Sequence, residues 1–249
     1  MILGRLKDII TFNASILDVT MIVLDLHIHS IYSIDSLLRP DRIIRAAKRK
    51  GLDGIAITDH NTMKGGALAA KLTQKGDFTA IIGAEMRVQE GEILGLFLNE
   101  ELNGKTALEI IDDIHGQGGV AVLPHPFRGQ QLDEEICRRV DVLEVFNSRS
   151  SIEQNLASLT LARRINKPGI AGSDAHFCSE IGNARTIIES DNFDILKCLL
   201  SGNVKLQTSY SSLYKKGVSQ IIQSFRKNQL MKIPVQMKNA FVSITNKRK

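Results

Sequence analysis

The 249-residue chain has no tryptophan, three tyrosines and an aromatic content of only 5%. A nucleic-acid interface that stacks bases on interleaved aromatics is therefore not indicated. Its three cysteines, Cys137, Cys178 and Cys198, include no CxxC pair, which signals neither a disulfide framework nor a structural zinc knuckle. A reducing cytoplasm is the expected compartment. No apolar run approaches the roughly 20 residues a membrane span requires. Five prolines and nineteen glycines, spread singly, exclude collagen-like and low-complexity architecture. The first twenty residues are broken by Arg5, Lys7, Asp8 and Asp18, so they lack the continuous apolar stretch of a secretory signal. Met21, just before a strand-like run, is an alternative start.

Acid is missing from the C-terminal end as well, since Asp194 is the last acidic residue. Nine of the 32 Lys and Arg fall from position 209 onward; the other 23, against 27 Asp and Glu, leave residues 1–208 at net −4. A mildly acidic body thus carries a purely basic tail, read as a solvated helix and frayed terminus, with docking on nucleic acid as the competing use.

Seven short apolar runs stand at 23–29, 54–58, 78–85, 92–98, 119–125, 140–146 and 169–174. They are rich in Val and Ile and bounded by turn residues, so they read as strands. Between them, 40–51, 62–76, 105–119, 133–140 and 151–166 space apolar residues by three and four and often end at glycine, as helices do. Repeated strand–helix units predict an α/β fold with a parallel sheet, and seven strands suit a barrel better than an open sheet.

In such folds chemistry sits at the C-terminal ends of strands. The first run ends in His27 and His29, the second in Asp59 and His60, the third in Glu85, the fifth in His125 and the seventh in Asp174 and His176. A lone histidine near a strand end is usually structural, but five of the six histidines lie at such ends in company with carboxylates. Side chains alternate along a strand, so Asp25, His27 and His29 share one face and both imidazoles can share one cation. Asp25 is then expected to accept the second ring proton of a ligating histidine. His115, in the last turn of a helix closing on Gly118 and Gly119, suits the helix dipole and receives no catalytic role.

The strings DLHIHSIYSIDS, GIAITDHNT, GAE, LPHPF and GSDAH resemble, in order and spacing, the motifs of the PHP (polymerase and histidinol phosphatase) family of metal-dependent phosphoesterases. The resemblance spans about residues 22–208 and is nearer to the small stand-alone members than to the domain appended to replicative polymerases. It implies a distorted seven-stranded (βα) TIM-like barrel with up to three divalent ions in its mouth. Residues 1–20 would be an N-terminal extension, 21–208 the catalytic barrel and 209–249 a basic C-terminal helix and tail.

Carried over position by position, the resemblance gives His27, His29, Glu85 and Asp174 to a first metal. Glu85 and His125 would hold a second, and Asp35, His60 and His176 a third. Where many relatives have a histidine at the start of the fourth strand, this chain has Glu92. A carboxylate there either replaces the imidazole as a ligand of the second metal, favouring harder ions such as Mn²⁺, or weakens that site or serves only as a surface charge. The expected cofactor is two or three ions of Mn²⁺, Zn²⁺ or Fe²⁺. Three divalent ions facing Asp35, Glu85, Glu92 and Asp174 leave a net +2, which attracts phosphate. Arg128, Arg149 and Arg185 are the candidate phosphate contacts, with Arg128 preferred.

The expected reaction is hydrolysis of a small phosphomonoester or nucleotide by hydroxide made at the metals, with Asp174 taking the water proton and His176 steadying the leaving oxygen. An oligonucleotide is the second choice of substrate. The competing readings are an amidohydrolase-like deaminase, separable by ammonia release, and an inert metal-free module. A metallo-β-lactamase pattern fails because Ile31 and Tyr32 stand where HxHxDH needs Asp and His.

Overall fold

A computed structural model describes residues 20–129, 133–190 and 194–228. Nine strands, β1 (Thr20–Ile28), β2 (Gly54–His60), β3 (Thr79–Val88), β4 (Gly91–Leu96), β5 (Val120–Leu123), β6 (Val142–Asn147), β7 (Gly169–Gly172), β8 (Ala184–Ser190) and β9 (Val204–Thr208), form one sheet. Seven helices alternate with them: α1 (Pro40–Arg49), α2 (Lys64–Thr73), α3 (Ala107–Gly116), α4 (Glu134–Arg139), α5 (Ile152–Arg164), α6 (Ile195–Ser201) and α7 (Leu213–Arg226). None of the described helices is long and apolar enough to cross a membrane.

The sheet order is β7-β6-β5-β4-β3-β2-β1-β8-β9. The first seven strands therefore stand side by side in chain order. Their two ends nearly meet, because the His29 N–H donates to the Ala175 carbonyl at 3.0 Å just beyond β7. The result is an α/β, nearly closed barrel-like sheet of nine strands.

Two expectations are corrected here. The strand count is nine, because β8 and β9 continue the sheet beyond β1 as an antiparallel pair. β9 (VKLQT) is mostly exposed and gives no apolar run to detect. The sheet is also mixed rather than parallel, since β4 runs against both β3 and β5. Only two residues join β3 to β4, far too few for a crossover helix, so the pair must be a hairpin. That reversal brings Glu92, at the start of β4, opposite Arg87 near the end of β3. A residue at the wrong end of its strand thereby reaches the same rim as the others.

Local sequence sets the helix ends. α1 opens with Pro40 in its first turn and closes on Lys48 and Arg49. α3 and α5 begin with capping boxes, Thr106 with Glu109 and Ser151 with Gln154. Leu24, Leu26, Ala56, Ile81, Leu94, Val122, Val142 and Ile170 pool one core cluster from seven strands. Ile110, Ile111 and Ile114 of α3 anchor a second, and Ile43, Ala46 and Ala47 of α1 a third with Ile55 and Ile57. The sheet is thus clad by helices on a face of its own while its strand ends stay free for polar residues.

Candidate metal centre

Asp25, His27 and His29 alternate down one face of β1 and its exit, and all are buried. The Nε2 atoms of His27 and His29 face each other at 3.2 Å. Glu85 reaches both, at 3.5 Å from His27 and 3.4 Å from His29, and Asp174 Oδ1 lies 3.2 Å from His29. Two imidazole nitrogens and two carboxylates thus converge on one point from β1, β3 and the loop after β7.

A second convergence lies beside it. His29, Asp35, His60 and His176 each offer a ligand atom, all within 4.8 Å of one another. Asp35 bridges His60 and His176, each at 3.2 Å. The structure therefore puts His29 within reach of this group as well as of His27. A third grouping gathers around Glu85, whose Oε1 is 2.9 Å from His125 Nε2 and whose Oε2 is 2.9 Å from His60 Nδ1. Glu92 Oε2 stands 3.6 Å from His125, and Glu92 also groups with His60 and Glu85.

The donor set fits divalent cations. Asp35 Oδ1, His60 Nδ1 and Glu85 Oε2 are buried polar atoms that lack a hydrogen-bond partner of good geometry, a costly state unless something else satisfies them. His125 (φ 29°) and Asp174 (φ 52°) hold left-handed backbone conformations that non-glycine residues rarely adopt. Such strain collects at functional sites.

The residue that orients His27 is not Asp25. Glu144 Oε1 lies 2.9 Å from His27 Nδ1, and Glu144 Oε2 accepts the His125 N–H at 2.9 Å. Asp25 instead accepts backbone N–H groups of Ser173 and Gly182, at 3.0 and 2.7 Å. It is a brace between β1 and the β7–β8 connection, and burial raises its pKa to about 6. Gly172 makes the Glu144 contact possible, because a Cβ there would collide with Glu144 Oε1 and the His27 Cβ. Ser33 similarly faces His29 Nδ1 at 2.9 Å and accepts the His60 N–H at 2.9 Å. Asp59 lies outside the cluster and fixes the first loop by accepting the Ser30 hydroxyl at 2.6 Å.

Charge is crowded here. Burial alone would depress His27, yet Glu144, Glu85 and Asp174 together hold it well above the usual imidazole range. His60, likewise opposed by burial, is lifted to about 9 by Glu85 and Asp35. His29 moves the other way, to about 3, through burial and the neighbouring His176 and His60. Glu85 and Asp174 resist the upward pull of burial and stay well below the carboxylate range, Glu85 through His27 and His60, Asp174 through Arg128 and His27.

Beside the cluster opens a cavity of about 260 Å³, lined by Asp35, His60, Asp174 and His176 together with Arg87, Arg128, Arg149 and Lys216. Arg128 donates to Asp174 Oδ2 at 2.7 Å and Asn147 Oδ1 at 3.2 Å. Arg149 lies against His176 and Ser219. Arg185 is elsewhere, its guanidinium taken by the Gly182 and Lys50 carbonyls at 2.9 and 3.1 Å, so it is no candidate contact. His115 pairs with Asp141 at 2.9 Å and belongs to none of these groups.

Sequence reading missed Arg87, which is 2.6 Å from Glu92 Oε1 and 2.6 Å from His60 Nε2. Its position five residues before Glu92, across a two-residue turn, was the available signal. It missed α7 as well: Lys216, Ser219, Gln220 and Gln223 line the cavity, and Gln223 donates to Asp35 Oδ2 at 3.5 Å. The described part of the basic tail is therefore a wall of the site. The expected N-terminal extension and the end of the tail lie outside the described residues, apart from Thr20 and positions up to 228.

Residues 25–193 match the family model described as PHP domain. An uncharacterized protein of Methanocaldococcus jannaschii is 39% identical over 155 residues, covering 53% of this chain and 87% of that protein. A two-domain Bacteroides vulgatus structure containing a predicted PHP-like metal-dependent phosphoesterase is similar with TM-score 0.67 and 19% identity, over 77% of this chain. The chain spans 66% of that two-domain protein. A Chromobacterium violaceum amidohydrolase with bound sulfate and no metal gives TM-score 0.50 and 20% identity, over 61% of this chain and 87% of that one. At those identities the two structures speak to the fold alone.

Proposed function

The chain belongs to the PHP domain family, and from that membership we propose that it is a metal-dependent phosphoesterase acting on a small phosphomonoester, nucleotides included. The observation that carries the reading is the convergence of His27, His29, Asp35, His60, Glu85, Glu92, His125, Asp174 and His176, with buried polar atoms among them that lack a hydrogen-bond partner of good geometry. Those nine residues would hold two or three divalent ions, Mn²⁺, Zn²⁺ or Fe²⁺. When bound, such ions supply Lewis acidity and bring the pKa of coordinated water toward ~7.

The remaining work falls to the chain itself. Glu144 keeps a proton on His27 Nδ1, which leaves Nε2 as the ligand nitrogen. Arg128, between Asp174 and the open cavity, is placed to take a phosphoryl oxygen through the guanidinium nitrogens not facing Asp174. Asp174, held ionised by Arg128 and His27, is the acceptor for the proton of the attacking water. His176, fixed through Nδ1 by the Asp174 carbonyl at 2.9 Å, is left with Nε2 as its ligand nitrogen, 3.2 Å from Asp35 Oδ1.

The test is metal analysis of gently purified protein followed by a phosphate-release panel in which each metal is added back. Metal-dependent phosphate release is expected, and Asp174→Asn should lower kcat at least 100-fold while circular dichroism stays unchanged. Ammonia release in place of phosphate would move the chain to the deaminase reading. A protein that takes up none of the three metals would be an inert binding module.

A further inference from the structure

Helix α7 lies beyond the 25–193 segment that matches the family, yet it forms one wall of the cavity. Its inward stripe is Lys216, Ser219, Gln220 and Gln223, at three- and four-residue spacing, while Tyr214, Val218 and Phe225 are exposed. A helix docked for stability alone buries its apolar side. This one turns polar groups toward the cavity while Ile221 and Ile222 are only half-buried, so apolar burial does not by itself account for its placement.

The cations in the cavity fall into two kinds. Arg87 is paired with Glu92, and Arg128 with Asp174. Arg149 and Lys216 are paired with no carboxylate among the described residues. Arg149 is only 5% exposed, and its guanidinium meets the Ser219 hydroxyl, the Asp174 carbonyl and the His176 imidazole, with no carboxylate among these partners. The Lys216 ammonium lies near enough to Arg128 and Arg149 to feel their charge. Of the acids whose charge reaches it, Asp174 is engaged by Arg128, and Glu180 accepts the His176 N–H at 3.0 Å through one oxygen while its buried Oε1 has no hydrogen-bond partner among the described residues. A buried guanidinium beside a second cation, with neither in an ion pair among the described residues, is unfavourable by itself and is relieved by an anion.

We propose that Arg149 and Lys216 form a subsite for a second anionic group of the substrate, on the α7 side of the cavity. This rests on the phosphoesterase reading above and narrows it. The preferred substrate is a small molecule carrying the scissile phosphate and, at its other end, a second phosphate or a carboxylate. Apart from the imidazoles of His60 and His176, which belong to the metal cluster, the described cavity wall includes no aromatic ring and no aliphatic side chain, so the α7 side offers a nucleobase no aromatic platform. Gln220 and Gln223 offer amides suited to hydroxyl groups between the two anions.

The experiment compares matched pairs on the metal-loaded full chain: fructose 6-phosphate with fructose 1,6-bisphosphate, and glycerol 3-phosphate with 3-phosphoglycerate. Para-nitrophenyl phosphate serves as the reference monoester. The doubly anionic member of at least one pair should be favoured tenfold or more in kcat/KM, chiefly through KM. The pair that shows the preference tells phosphate from carboxylate. Lys216→Gln should reduce that preference at least tenfold and Lys216→Arg should restore most of it, with thermal midpoints confirming that both variants fold. Equal kcat/KM within both pairs, alongside good turnover of the reference ester, would overturn the subsite and leave the hydrolase standing. A preference that survives in Lys216→Gln would overturn it too. If no ester releases phosphate with any metal, the hydrolase reading fails and the subsite falls with it.

Discussion

Glu144 ties two histidines together, with one oxygen on the His27 ring and the other on the His125 backbone. Glutamine at this position keeps one acceptor oxygen and gives the other contact an amide donor, which opposes the His125 N–H or the His27 ring proton. Orienting carboxylates of this kind are typically worth 10–100-fold in metal affinity. Glu144→Gln is therefore expected to weaken metal binding by about that factor in calorimetric titration, with the cluster ligands themselves untouched. An affinity within twofold of the wild type would show that the contact does not set the ligand nitrogen. Seven of the nine candidate ligands were legible in the sequence because they stand at or just beyond the end of an apolar run, whereas Asp35 and Glu92 came only from the family resemblance. Glu144 was not legible, because a single acid inside VDVLEVF looks the same whether its strand face meets solvent or a buried imidazole. Lys216 was equally invisible, since only the docked helix decides that it faces Arg149 rather than water. Burial and then the charges of Arg128 and Arg149 lower its pKa from 10.5 to about 8. A lysine whose folded value lies below its unfolded value binds less proton when folded. Its penalty on stability is therefore present in full below about pH 8 and fades as pH rises toward 10.5. Lys216→Met should accordingly stabilise the protein at pH 7 by about 1 kcal/mol after solvent screening, with a smaller gain at pH 9.5. Chemical denaturation at the two pH values reads the difference; a gain that does not depend on pH would assign it to packing.

At the scale of elements, the strands and helices with strong periodicity lie within a few residues of where the sequence predicts them. The failures have distinct causes. β4 was recognisable as a strand, but its direction was set by the two-residue connection to β3 rather than by its own residues. β9 escaped because an edge strand needs no apolar face of its own once β8 supplies the ladder, and β8 because its buried face, Ala184, Thr186 and Ile188, is short and interrupted by a threonine. α7 was read as a solvated helix because its charge pattern is the same whether or not the barrel mouth lies beneath it. Its attachment can be probed at the far end. The Arg226 guanidinium donates to the Ile31 and Ser33 carbonyls, at 3.1 and 2.7 Å, and so joins the end of α7 to the loop that carries Asp35. Charge-assisted bonds to partly exposed carbonyls contribute about 1 kcal/mol in net terms. Arg226→Ala should then speed amide exchange of α7 about fivefold while protection in β1–β3 stays as it was. Equal exchange in helix and strands of the variant would show that α7 does not open as a separate unit.

For the whole molecule, the cluster gathers side chains from β1, its following loop, β2, β3, β4, the loop after β5 and the loop after β7. Those segments include both sides of the near-closure between β1 and β7, so cations held there bind the folded chain and not the unfolded one. A ligand at one hundred times its Kd adds about 2.7 kcal/mol to stability, and a chain of this size gains about 2–4 °C per kcal/mol. Chelation should lower the thermal midpoint by about 5–10 °C. Protons enter the same balance. Without metal, His27 sits well above the usual imidazole range and His60 near 9, so both carry an extra proton at pH 7. Coordination needs the neutral rings, and Glu144 retains the Nδ1 proton of His27, so the proton lost from that residue is the one on Nε2. Metal uptake at pH 7 should therefore release more than one proton, and affinity should climb as pH rises from 7 through about 9, where His60 loses its extra proton. Calorimetric titrations in phosphate-free buffers of different ionisation enthalpy count those protons directly. A binding enthalpy that is the same in every buffer would mean that the rings are already neutral and that the acids around them are not held ionised as the geometry requires.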